Sequence, residues 1–128
     1  MNRSTLRIAI AVLTVATALV HLFISVWDVN ESKVSFQPMF LLNGLGYLAL
    51  LWALLKTMPV PFLEGKEKLA HYTFVGYTLV TILGWAAIGD KGFEGITPRV
   101  ILGYADKLIE ILLILALWLH LRQTAQIA

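Results

Sequence analysis

Residues 100–121 read VILGYADKLIEILLILALWLHL. At about 1.5 Å of rise per residue this run makes a helix about 33 Å long, enough to cross a hydrocarbon core of about 30 Å. Within it stand three charges, Asp106, Lys107 and Glu110. A charge at the centre of a membrane helix costs about 2.5 to 3.5 kcal/mol on insertion scales. Three in five positions therefore need partners inside the protein. Finding those partners is the most direct route from this sequence to a function.

The rest of the chain fits the same solvent. Of 128 residues 59% are hydrophobic and 14% charged, against about 25% charged in a soluble domain. Four apolar stretches divide the chain, at about residues 6–27, 38–56, 69–89 and 98–121. Pro38 and Pro98 suit first helical positions, and Thr97 suits an N-cap. Asn30-Glu31-Ser32, Pro59-Val60-Pro61 and Gly92-Phe93-Glu94-Gly95 mark the connections. Short connections make neighbours antiparallel, so the expected fold is all-α: a polytopic membrane protein whose residues 1–128 form one antiparallel up-down four-helix transmembrane bundle. Residues 1–24 imitate a secretory signal, with Arg3 and Arg7 before an apolar run. They lack a small-x-small cleavage site and are read as a retained first span.

Basic residues orient the bundle. Arg3, Arg7, Lys56, Lys66, Lys68 and Arg122 fall on one side, and Lys33, Lys91 and Arg99 on the other. This bias places both termini in the cytoplasm of a cell-membrane protein. The basic residues flank spans instead of forming a long patch, so the partner they suit is an anionic lipid surface and not nucleic acid. With no cysteine, disulfide frameworks, thiolate metal sites and thioether haem attachment are excluded.

The polar residues inside the spans follow helical spacing. Thr14, Thr17, His21, Ser25 and Asp28 share one face of the first helix. His71, Thr78, Thr81 and Trp85 form a weaker stripe on the third, and Gly103, Asp106, Glu110 and Leu113 share a face of the fourth. Counted along the helices, His21 lies about 9 Å and Asn43 about 7 or 8 Å from the outer ends of their spans, Thr81 and Asp106 about 12 Å and Glu110 about 18 Å. The expected site is therefore a ligand- or proton-binding cluster of His21, Asn43, Thr81, Asp106, Lys107 and Glu110 in the outer half of the bundle. A histidine beside carboxylates is suited to relay protons. The plainer reading is an interhelical clamp, with Lys107 and Glu110 paired along their own helix and Asp106 holding both Lys107 and His21. A contact with another subunit is a third reading. Gly44, Gly46, Gly84 and Gly103 are expected to let helices approach closely. His71 and His120 are expected at the interfacial level, and no cofactor or metal is expected.

Four short motifs carry a resemblance: Val20-His21-Leu22, Phe40 through Gly46, Leu83-Gly84-Trp85, and Asp106-Lys107 with Ile109 to Leu113. In that order they resemble a family of small prokaryotic four-helix integral membrane proteins of unknown function. The resemblance implies the fold. It also implies recurring positions at His21, Gly44, Gly46, Trp85, Asp106 and Lys107, with no substrate. Three functions remain in view. The first is binding or passing a small ligand or ion at the cluster. The second is an accessory role, as a homo-oligomer or within a larger membrane complex. The third is a membrane-embedded enzyme with His21 and Asp106 as base and orienting carboxylate, which lacks a nucleophile beside His21 and ranks last.

Overall fold

A computed structural model describes residues 2–55 and 67–127. The Pro59-Val60-Pro61 connection and Lys56 and Lys66 lie outside these. The described residues are mostly helical: α1 (Arg3–Val26), α2 (Pro38–Leu55), α3 (Glu67–Ile88) and α4 (Pro98–Ile127). The first three are long and apolar enough to cross a membrane. α4 is the longest, 30 residues, and carries the three charges. It runs past the expected end at Leu121 without a break.

The helix starts follow local chemistry. Asn2 caps α1, its side-chain oxygen accepting from the Thr5 N–H at 2.7 Å, and Thr97 Oγ1 accepts from the Val100 N–H at 3.3 Å at the head of α4. Lys91 closes α3 from beyond its end, its ammonium donating to the Ala86 and Gly89 carbonyls at 2.9 Å each, where the helix dipole favours a cation.

One connection departs from the all-α expectation. Instead of a bare turn, β1 (Trp27–Asp28) and β2 (Lys33–Val34) pair antiparallel between α1 and α2. Asp28 Oδ1 accepts from the Asn30 and Glu31 N–H groups at 3.0 and 3.2 Å, and Ser32 takes the left-handed conformation at φ +51°. A short polar side chain folding the backbone onto itself is what Asx turns do. Lys33 pairs with Glu31 at 2.8 Å, and that hydrogen bond raises the Lys33 pKa.

α1 packs on both α2 and α4, and α3 on α4 and, more lightly, on α2. The interior has two halves. Leu6, Ile10, Leu51, Leu54, Phe74, Leu113 and Leu117 form a buried apolar core. The other half buries Thr14, Thr17, His21, Ser25, Asp106, Lys107 and Glu110. α1 is inside out relative to a helix in water: Thr14 and Thr17 are fully buried, while Val12 and Leu19 on the opposite face are 62% and 60% exposed.

Candidate functional site

The stripe on α1 meets α4 at Asp106. Thr17 Oγ1 donates to Asp106 Oδ1 at 2.6 Å, and His21 Nε2 lies 3.7 Å from Asp106 Oδ2, just beyond hydrogen-bond length. His21 Nδ1 is 2.8 Å from the Thr17 carbonyl. A carbonyl only accepts, so Nδ1 carries a proton and Nε2 is the ring atom turned toward Asp106. Helical spacing of four residues sets this geometry, bending the ring back over its own turn.

Lys107 joins the two carboxylates. Its ammonium donates to Asp106 Oδ2 at 3.1 Å and also to Glu110 Oε1. The other Glu110 oxygen accepts from the Tyr47 hydroxyl. Both pairings that the spacing along α4 offers, Lys107 with Asp106 and Lys107 with Glu110, are made at once, and Glu110 alone would still neutralise the cation. Tyr47 was missed in the sequence. It stands one turn after Asn43 on α2, a spacing that could have flagged it.

Asn43 and Thr81 form a second group. Asn43 Nδ2 donates to Thr81 Oγ1 at 3.4 Å, the Thr81 hydroxyl donates to the Tyr77 carbonyl at 3.0 Å, and the Tyr77 hydroxyl donates to the Asn43 carbonyl at 2.7 Å. Asn43 Oδ1 is buried without a hydrogen-bond partner. Tyr47 and Tyr77 meet edge to face at 4.9 Å between ring centroids and so connect the two groups.

A cavity of about 850 Å³ joins them. Of the six expected residues, His21, Asn43, Thr81, Asp106 and Lys107 line it; Glu110 lies behind Lys107. The cavity extends to the end of the bundle where Asn30, Gln37 and Arg99 stand. There the Arg99 N–H donates to Asn30 Oδ1 at 3.0 Å and its guanidinium to Gln37 Oε1 at 3.4 Å. These residues lie in connections and at helix starts, where periodicity gives no signal.

The glycines play different parts. A Cβ on Gly44 would sit 2.9 Å from Leu22 Cγ and 3.0 Å from the Ala18 carbonyl, so hydrogen at this position lets α1 and α2 close. On Gly46 it would run into the Tyr77 hydroxyl, and on Gly103 it would lie 3.3 Å from the Trp85 indole nitrogen. At Gly84 it would meet nothing within 4 Å. Close packing expected there is absent within the described residues, and Gly84 instead lines the cavity.

At the apolar end, His71 and His120 are buried rather than spread along an interface. His71 Nε2 and His120 Nδ1 are 2.7 Å apart, with rings stacked at 4.9 Å. An iron between two imidazoles needs their nitrogens about 4 Å apart, given metal–nitrogen distances near 2 Å, so this contact is a hydrogen bond with no room for a haem iron. Among the described residues His21, Asp106 and Glu110 each bring a ligand atom within 4.8 Å of the others, a spacing that suits a metal ion. The Lys107 ammonium stands on both of these carboxylates and already supplies positive charge there.

No protein family, curated protein or solved structure matches the chain. The resemblance to the four-helix membrane family therefore rests on the four short motifs.

Proposed function

We propose that the chain is an integral protein of the cell membrane, crossing it four times in antiparallel fashion with both termini in the cytoplasm. It binds a small ligand at the cavity floored by His21, Asp106 and Lys107. The observation that carries this reading is the inverted burial of α1, polar inside and apolar outside. In water that pattern leaves apolar faces without cover; in lipid it is the stable arrangement, because intramembrane polar groups face the bundle interior. Membrane insertion extends to α4 because its three charges have partners among themselves, Thr17 and Tyr47. The antiparallel arrangement is supported by Arg99 at the head of α4 reaching Asn30 just beyond α1, and by His71 near the start of α3 meeting His120 late in α4.

Binding is favoured over passage by what lies below the site. Ile10, Phe74, Leu113 and Leu117 are buried in the other half, and they form an apolar layer between the cluster and the His71–His120 pair. A volume of about 850 Å³ falls within the range of small-molecule sites, about 300 to 1,000 Å³. Gly84→Phe tests the reading, since Gly84 lines the cavity and a Cβ there meets no atom within 4 Å. Native mass spectrometry of the protein in nanodiscs, equilibrated with a membrane extract, should show an adduct on the wild type that the variant loses at unchanged thermal stability. An extract that yields no adduct, or one indifferent to Gly84→Phe, would remove the pocket from the account.

A further inference from the structure

Resting on the pocket reading, we infer that the ligand is a lipid-soluble molecule with a hydroxyl head, entering sideways between α2 and α3. The head is set by an inventory of donors and acceptors. Several donors around the cavity are turned to the protein's own acceptors: Tyr77 to the Asn43 carbonyl, Thr81 to the Tyr77 carbonyl, Asn43 Nδ2 to Thr81, His21 Nδ1 to the Thr17 carbonyl and Arg99 to Gln37. Lys107 spends its ammonium on two carboxylates. Asn43 Oδ1, in contrast, is left buried with no hydrogen-bond partner. Turning the Asn43 amide over would set its oxygen beside Thr81, whose hydroxyl already donates to the Tyr77 carbonyl, so the unpartnered group is the oxygen.

A ligand that fits must therefore donate. A neutral head suits the lining, because Lys107 and Arg99 balance Asp106 and Asp90 along it and leave no net charge for an ionic head to answer. A hydroxyl is the smallest head that meets both conditions.

The route follows from exposure. Met39 and Leu42 on α2 and Val80 and Ile88 on α3 line the cavity, yet they are 60%, 68%, 70% and 79% exposed. Residues that both line a cavity and face outward mark its opening. α2 and α3 touch at Gly46–Tyr77 and Asn43–Thr81, and the cavity wall is open from there toward Met39 and Ile88. In a membrane-spanning bundle this opening faces acyl chains, so the ligand's apolar body lies against these four side chains with its head inward.

The test uses photoreactive probes on the protein in nanodiscs: a diazirine-bearing hexadecanol, its methyl ether, and a short water-soluble diazirine alcohol. The long alcohol should label α2 and α3 at the cavity. Unlabelled hexadecanol should compete at least about tenfold better than the ether, the discrimination expected when a site's polar group is left unpaired. Asn43→Leu should bring alcohol and ether within about twofold of each other. Equal competition in the wild type overturns the hydroxyl inference and leaves the pocket. Labelling of the cavity by the short alcohol alone overturns the membrane route. Saturable labelling by none of the three removes the pocket reading itself.

Discussion

Lys107→Leu should be the most damaging single change in the polar half. The ammonium is the shared partner of Asp106 and Glu110, and all three residues are buried. Its removal leaves two carboxylates with ligand atoms within 4.8 Å of one another. At an effective dielectric of about 20 this repulsion alone is about 3 kcal/mol. With the desolvated charges left unpaired, the total reaches about 3 to 5 kcal/mol. Asp106→Leu leaves Lys107 paired with Glu110, so its cost is the lost Thr17 hydrogen bond at 2.6 Å and the emptied contact with His21, about 1 to 3 kcal/mol. The double change removes one of the repelling acids and should fall below Lys107→Leu alone. Tryptophan fluorescence during unfolding in mixed micelles of rising SDS fraction measures the three differences. If Asp106→Leu costs as much as Lys107→Leu, the shared-cation account is wrong and Asp106 is the anchor.

Tyr47→Phe removes the donor to one Glu110 oxygen and should cost about 1 to 3 kcal/mol, read by the same unfolding assay; a change below the error of that assay would mean the carboxylate finds another donor. Gly46→Ala sets a methyl against the Tyr77 hydroxyl and should destabilise by about 1 to 3 kcal/mol, as overpacking does, whereas Gly84→Ala, with no atom near the new Cβ, should be within about 0.5 kcal/mol of wild type. Reporter fusions at Ala128 should report a cytoplasmic carboxyl terminus, and insertions between Asp90 and Gly95 the opposite side, as the distribution of basic residues directs; the reverse pattern would invert the pocket. Because the chain has no cysteine, a single cysteine in that loop gives an independent readout with an impermeant maleimide.

The helices and their inward faces were legible in the chain itself. Apolar runs bounded by Pro38, Pro98 and capping side chains dictate helices, since hydrogen bonds within one segment and the spacing of its side chains are local matters. The stripe Thr14, Thr17, His21 and Ser25 gave the buried face of α1 for the same reason. Pairing across helices is not local, and there the fold made the choices. It set Thr17 on Asp106, brought in Tyr47 as a donor to Glu110, and seated His71 against His120 inside the bundle. It also divided the expected cluster, leaving Glu110 behind the cavity wall and Asn43 with an unmatched oxygen. Each outcome depends on how helices distant in sequence are rotated and spaced, which no helical period encodes. The two-residue strands after α1 belong with these: Asp28 has the chemistry for a turn, but the facing of Trp27 and Val34 requires the two helix ends to be held side by side.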